Sequence, residues 1–436
     1  MRRVHWKGLF VLVAALALVA GACGSDDEGS SGDDSSTTTE SDSDSGGGAA
    51  DRGNVDGSLV LGTLVPQSGD LSVIVDSLQT PVNMAVEEIN AAGGVNGQQV
   101  TVVEGDDGTN PNVAQTTYSR LITTDKVDAI IGPAPSGVAA KLADSFETDE
   151  VPTCTGSATA ANLTGVGGGY FFRTAPPDKL QGPALATLIT GDNHSKVAIV
   201  ARNDDYGKGF SELLGQALED SGAEVTETVL YDPNGSNFDA DVQKAIDSSP
   251  DAVAVIGFND DGAKIINAMI GKGAGPSDIA IYTADGMQSS SFAATVDPSD
   301  PSKVAGIKGT APAAAPAGIE SPFTAEFAAT GIDTIFSSYY YDCTILMALA
   351  AQAAGSDAGP DISAAFAGNL EGDEDCNTYA ACLALLEEGK TIHYRGASST
   401  FEKWDTMEPG TGVYDVWAYD ETGEYSTLDV EQIQIS

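Results

Sequence analysis

Basic residues are scarce in this chain. Of 436 residues only 20 are Lys or Arg, against 64 Asp or Glu, and the formal net charge is −44. A nucleic-acid binder neutralises phosphates with a basic face, and a field of this sign repels DNA, RNA and anionic headgroups alike, so those partners are excluded. Histidine is rarer still: His5 lies in an N-terminal leader, and His194 and His393 sit in polar stretches. No G-x-S-x-G elbow occurs. The segment 384–391 carries Ala384 where a P-loop needs its first Gly, and Gly165-Val166-Gly167-Gly168-Gly169-Tyr170 misses the dinucleotide spacing. Acid pairs such as Asp260-Asp261 follow from the overall acidity and carry little weight for glycosidase chemistry. The expectation is a protein without catalysis, cofactor or metal. Aromatics are few at 7%, yet a hydrophobic share of 42% leaves enough apolar surface for real cores, and the length suits two or three domains.

What is present begins with a leader. Arg2, Arg3 and Lys7 precede an uncharged run over 9–22 that ends in small residues and Cys23. This pattern reads as a secretory signal peptide with lipoprotein-type cleavage, and the run falls short of the roughly 20 apolar residues that cross a bilayer. The residues Val19-Ala20-Gly21-Ala22 resemble a bacterial lipobox, with Ala20 at the place that usually holds Leu. A lipid on Cys23 would tether the mature chain to the outer face of the membrane, its only membrane contact. From 24 to 54 the chain is nearly all Gly, Ser, Thr, Asp and Glu, which cannot pack a core. Such a tract spans on the order of 30 Å. Its pairs Asp26-Asp27 and Asp33-Asp34 read as solvated linker, because no calcium-loop spacing with a closing Glu is present.

Setting Cys23 aside leaves four cysteines, Cys154, Cys343, Cys376 and Cys382, an even number that suits an oxidising compartment and admits three pairings. The close spacing of Cys376 and Cys382 favours that bridge, which leaves Cys154 to Cys343. Zinc is the rival reading, but there is no C-x-x-C spacing and no nearby His.

Beyond residue 55 apolar, β-branched runs alternate with segments of helical period. The pattern predicts strands over 58–65, 99–104, 127–131, 196–201, 224–231, 252–256 and 279–283. Helices are predicted over 80–91, 113–124, 209–221, 238–248 and 263–272. Two such series imply an α/β protein of two Rossmann-like lobes with parallel-sheet cores, and ligands in such sheets bind outside the carboxyl ends of the strands. Those ends carry small polar residues. The first lobe offers the segments 132–137 and 154–159; the second offers 202–207, 257–261 and 284–286. Hydroxyls and backbone N–H groups suit a small carboxylate, and a carboxyl side chain facing them suits an ammonium. Together they describe a receptor for a zwitterion.

Several segments in this order carry a family resemblance. They are Ser68-Gly69, Ile89-Asn90-Ala91-Ala92-Gly93-Gly94-Val95-Asn96-Gly97, Asp106-Asp107, Ile131-Gly132 with Ser136, and Ala158-Thr159 with Leu163-Thr164. Phe172-Arg173-Thr174, Asp205-Tyr206-Gly207, Asp285-Gly286 and Tyr341-Asp342 follow. From Leu59 onward the chain resembles the branched-chain amino-acid binding proteins, the type I periplasmic solute receptors of ABC transporters. The resemblance implies a two-lobed clamp with a three-segment hinge. Ser136 would bond the ligand carboxylate, helped by the backbone N–H groups of Ser157 and Thr159 and by the Thr159 hydroxyl, with Ala158 between them. The Ser157 carbonyl and Asp285 would take the ammonium, and Tyr206, Phe258 and Tyr341 would shape the side-chain pocket. The family usually has Tyr at the place of Phe258 and Glu at that of Asp285, so one hydroxyl and one methylene are missing. Ser136, Ser157 and Thr159 could equally be turn formers, Asp285 a helix-start residue, and Tyr206 and Phe258 lobe core.

The reading is an extracytoplasmic, monomeric solute-binding lipoprotein that captures a small amino acid and hands it to an ABC transporter permease. The alternatives are a sensory receptor of the same fold, or an amide or urea as ligand. Residues 1–22 are expected as signal peptide and 23–54 as lipidated linker. Residues 55–175 with 309–408 are expected to form lobe 1, and 176–308 with 409–436 lobe 2. The acidity suits a heavily hydrated secreted surface, in a saline habitat or otherwise, and disfavours the steering of anionic ligands.

Overall fold

The computed structural model describes residues 55–428 and 432–436. The expected signal peptide, Cys23 and the acidic linker lie outside the described residues. Among the described residues no helix is long and apolar enough to cross a membrane.

Five short strands build a wholly parallel first sheet: β1 (Val60–Thr63), β2 (Thr101–Val103), β3 (Ala129–Ile131), β4 (Thr153–Thr155) and β5 (Phe171–Arg173), in the order β2-β1-β3-β4-β5. The second sheet is built on β6 (Lys196–Arg202), β7 (Glu224–Tyr231), β8 (Ala252–Ile256), β9 (Ala280–Thr283) and β10 (Lys308–Pro312), parallel in the order β7-β6-β8-β9-β10. Two small pairs follow, β11 (Glu374–Cys376) with β12 (Ile392–Tyr394) and β13 (Trp404–Asp405) with β14 (Glu408–Pro409). The chain then returns to the second sheet as β15 (Gly412–Tyr419), antiparallel to β10, and β15 also pairs with β16 (Tyr425–Thr427) and β17 (Ile433–Ile435). Every residue of β8 is buried, and so is all of β6 beyond Lys196, as a strand covered on both faces must be. The result is the two-lobed α/β architecture of the type I periplasmic binding proteins.

The seven predicted strands fall within two residues of β1, β2, β3, β6, β7, β8 and β9, whereas β4, β5 and β10 to β17 have no predicted counterpart, and some of the predicted helices start earlier than expected. The helix predicted over 209–221 spans Asp205–Asp220, because Asp204 caps it by accepting from the Gly207 N–H at 2.9 Å. The helix predicted over 263–272 spans Asn259–Gly271, where Asp261 takes the Phe258 N–H at 2.7 Å. Gly207, Gly209 and Gly262 mask both starts in the sequence. Strand β10 stays in the second sheet through Pro312, which pairs with Tyr414, so the passage back to the first lobe lies past residue 309.

The helix Ser337–Ala354 is buried on all sides from Ser337 to Ala351, as befits a central helix of the first lobe. It packs against β4 and against the helix Val75–Ala91. The structure joins Cys154 on β4 to Cys343 on this central helix, with Cα atoms 5.6 Å apart, and Cys376 to Cys382, 5.2 Å apart.

Candidate ligand-binding cleft

Strand ends of both sheets converge on a cavity between the lobes. Ser136, Ser157 and Thr159 line it from the first lobe, and Tyr206, Phe258 and Asp285 from the second.

The first-lobe side is a pair of turns held rigidly from below. Asp107, fully buried, accepts the N–H groups of Thr109 at 2.7 Å and Ala134 at 3.2 Å; burial pushes its carboxyl up to about 7. Ser136 opens the helix Ser136–Thr148, and its Oγ accepts from the Ala160 N–H at 3.2 Å. Thr155 Oγ1 donates to the Pro133 carbonyl and accepts the N–H groups of Ser157 and Ala158, which ties the two turns together. Ser157 Oγ sits 3.2 Å from the Ala134 carbonyl and 2.9 Å from the Tyr340 hydroxyl. Gly156 lets the central helix approach, since a Cβ there would lie 2.8 Å from the Tyr340 backbone nitrogen. Thr159 lines the cavity, and its buried Oγ1 has no hydrogen-bond partner.

The second-lobe side presents one carboxylate against an aromatic platform. The Tyr206 hydroxyl donates to Asp285 Oδ1 at 3.1 Å, and the rings of Tyr206 and Phe258 stack 5.5 Å apart. The Arg202 guanidinium lies 3.5 Å over the Phe258 ring and is itself paired with Asp204 at 2.6 Å and Asp261 at 3.1 Å. Burial pushes Asp285 up to about 6, against the hydrogen bonds of Tyr206 and Gln181, which favour its charged form. Between the lobes, Asn162 Nδ2 donates to Asp205 Oδ1 at 2.8 Å across the cleft.

A family model described as periplasmic binding protein matches residues 58–378. The chain belongs to the periplasmic binding protein family. The substrate-binding protein BasB of a chemotactic signal transduction system in Halobacterium salinarum is 26% identical over 366 residues, covering 81% of this chain and 85% of that one. The crystal structure of the branched-chain amino acid transporter substrate-binding protein LivJ of Streptococcus pneumoniae, in complex with isoleucine, superposes with a TM-score of 0.68 at 24% identity over 86% of this chain and 99% of that one. A solute-binding protein of an ABC transporter from R. palustris, in complex with 4-hydroxybenzoate, superposes at 0.69 with 17% identity over 87% and 97%. The chain is thus a solute-binding protein, in a class that is extracytoplasmic and binds small molecules.

Six of the eight residues expected at the ligand site of this periplasmic binding protein line the cavity. Ala158 and Tyr341 do not. Ala158 is fully buried behind the turn, its N–H bound to Thr155 and its carbonyl accepting from Arg173 at 3.2 Å. Tyr341 faces away from the cleft. Its hydroxyl donates to Glu88 and its ring stacks on Phe323 at 4.2 Å. Adjacent helical residues point about 100° apart, so a helix that aims Tyr340 at Ser157 turns Tyr341 from it. The Ser157 N–H, expected to help bind a carboxylate, is already directed to Thr155.

The cavity also has an apolar wall that the sequence did not reveal: Leu71, Val73, Ile74 and Phe336 from the first lobe, with Gln288 and Ser289 nearby from the second. Leu71 to Ile74 lie in a short turn between a loop and a helix, without the period that marks a functional strand end. Phe336 holds a left-handed backbone at φ 58°, a costly conformation for an aromatic residue and one that strained functional positions favour.

Proposed function

We propose that this periplasmic binding protein captures a small zwitterionic amino acid with an aliphatic side chain and delivers it to an ABC importer. The observation that carries the reading is the opposition of Asp285 on one lobe to Ser136 and Thr159 on the other within one cavity. Asp285 would take the ammonium, the hydroxyls the carboxylate, and Leu71, Ile74 and Phe336 the side chain. The lobes would close over the ligand about the hinge, and the closed form would be what the permease meets. An aromatic acid without an amine would leave the buried Asp285 charge uncompensated, which is expensive. That favours an amine over the 4-hydroxybenzoate bound by one structural neighbour.

The same reading carries a lipid tether at Cys23 and two lobes, one from 55–175 with the central-helix region and the other from 176 through β10 with the C-terminal strands. Fatty-acid labelling that vanishes in Cys23→Ser tests the tether.

A second reading, a sensory receptor using the same clamp, is favoured by the similarity to BasB, whose name places it in chemotaxis. The test of function is a thermal-shift screen of the purified protein against the twenty amino acids, small amides, urea and aromatic acids, since a ligand stabilises the state it binds. Stabilisation by aliphatic amino acids is expected. A response only to ligands without an ammonium would overturn the zwitterion site, and uptake assays with and without the gene separate import from sensing.

A further inference from the structure

Beside Thr159 lies a buried carboxyl group that the site described above does not use. Asp178 is the first residue of the helix Asp178–Gly191 and is wholly buried, and neither of its carboxyl oxygens has a hydrogen-bond partner. An ionised carboxylate in that condition would be among the most expensive groups in the molecule. Its backbone N–H donates to the Thr159 carbonyl at 2.8 Å, which fixes Asp178 against the residue that faces the ligand carboxylate. The Thr159 hydroxyl is likewise buried and unpartnered. The two side chains are near enough to influence each other, yet outside hydrogen-bonding geometry in this conformation.

The charges around Asp178 come from every side. Asp285, Asp204 with Tyr206 at the start of the helix Asp205–Asp220, Tyr414 on β15 and Arg173 on β5 are all within electrostatic reach of Asp178. Of these groups Arg173 alone is cationic, and it is bonded to Glu408, which also holds the neighbouring Lys179 at 2.6 Å. Burial, and then the Asp285 charge, push Asp178 well above the usual carboxylate range; Thr159 and Arg173 oppose this. Two carboxyls sharing one buried region do not both ionise readily. If Asp285 must be charged to meet an ammonium, the proton belongs on Asp178.

Resting on the zwitterion reading, we propose that Asp178 is a positioning residue which, as a neutral acid, donates its proton to Thr159 Oγ1 and so leaves the Thr159 O–H to donate to the ligand carboxylate. A hydroxyl has one proton to give. An ionised Asp178 would draw that proton to itself and turn a lone pair of Thr159 toward the ligand anion. The neutral acid does the reverse, and the direction of one hydrogen bond then selects a carboxylate over a group that needs an acceptor.

The test uses the full protein and whichever of the twenty amino acids binds it most tightly. Infrared difference spectra of the ligand-bound protein at pH 7 are expected to show the C=O stretch of a protonated carboxyl that disappears in Asp178→Asn. That variant is expected to bind within about threefold of the parent, because its amide N–H replaces the acid O–H as donor. Thr159→Val reads the same contact without depending on the Asn variant: the band should shift to higher frequency as its acceptor is lost, with ligand binding weakened about tenfold. Absence of such a band from the difference between parent and Asp178→Asn, or a band assigned by that difference that does not move in Thr159→Val, overturns the proposal while leaving the zwitterion reading intact. Binding of no amino acid by the parent protein overturns that reading, and this one with it.

Discussion

The Tyr340 hydroxyl lies 2.9 Å from Ser157 Oγ, so the central helix of the first lobe holds the turn that lines the cleft from behind. Asp107 and Thr155 brace the neighbouring turn in the same way, through backbone N–H groups and a carbonyl. The ligand would thus meet groups whose positions are set before it arrives, which lowers the entropy lost on binding.

Tyr340→Phe removes one buried hydroxyl and frees Ser157. The expected outcome is a stability loss of about 1 kcal/mol together with roughly fivefold weaker amino-acid binding. Tyr341→Phe is expected to lower stability by a similar amount through the loss of the Glu88 bond, with binding unchanged, because its ring faces Phe323. Denaturant titration and calorimetry on the two variants separate these effects. Equal loss of affinity in both would refute the assignment of Tyr340 over Tyr341.

Asp285 gives a pH dependence of defined sign. Its carboxyl is pushed up to about 6 by burial, and an ammonium ligand needs it ionised. Affinity should therefore be flat above about pH 7 and fall as pH drops through 6, approaching tenfold per unit below it. The ligand-free fold behaves oppositely, because a raised carboxyl stabilises the fold below its unfolded value and loses that contribution as pH rises through about 6. Calorimetric titrations between pH 5 and 8 check the first, and melting of the ligand-free protein the second. Asp285→Ala should weaken amines far more than ligands without an ammonium; equal loss for both would sink the role assigned to it.

Asn162 and Asp205 make a hydrogen bond of 2.8 Å across the cleft. Asn162→Ala should leave association rates near their parent value and speed ligand release about fivefold, since the bond exists only once the lobes have met. Stopped-flow kinetics read both rates, and a change confined to association would refute it.

The Arg173–Glu408 pair is buried, with side-chain exposures of 1% and 2%. Arg173→Met alone is expected to cost about 3 kcal/mol, because the carbonyls of Ala158 and Ala160 lose their donor and Glu408 is left with Lys179 and the Thr164 hydroxyl as partners. Adding Glu408→Leu should recover part of that loss, as measured by chemical denaturation.

Strands β1 to β3 and β6 to β9 were legible because buried parallel strands are continuous aliphatic runs, as β6 and β8 show, while β4 and β5, three residues each, were too short to mark themselves. Ser136, Ser157, Thr159, Tyr206, Phe258 and Asp285 were legible because strand ends point to clefts and because their motifs resemble a known family. Tyr341 was misplaced since one step along a helix changes its face, and no motif encodes that angle. Phe336, Leu71 and Ile74 were invisible for another reason. They reach the cavity from turns, where neither period nor spacing marks a side chain's direction. Asp178 was passed over among many acids, and only its burial without partners sets it apart.

The Cys154–Cys343 bridge spans 189 residues, and all of β6 to β10 lie between its ends. The parallel part of the second sheet is therefore a covalent ring rooted at both ends in the first lobe. Chain-entropy arithmetic assigns such a ring about 5 kcal/mol over its reduced form. Its further effect is topological: the second lobe can melt, or be nicked once by a protease, and its fragments stay leashed within reach of their partner, so the clamp can reassemble as a single-molecule event at any dilution.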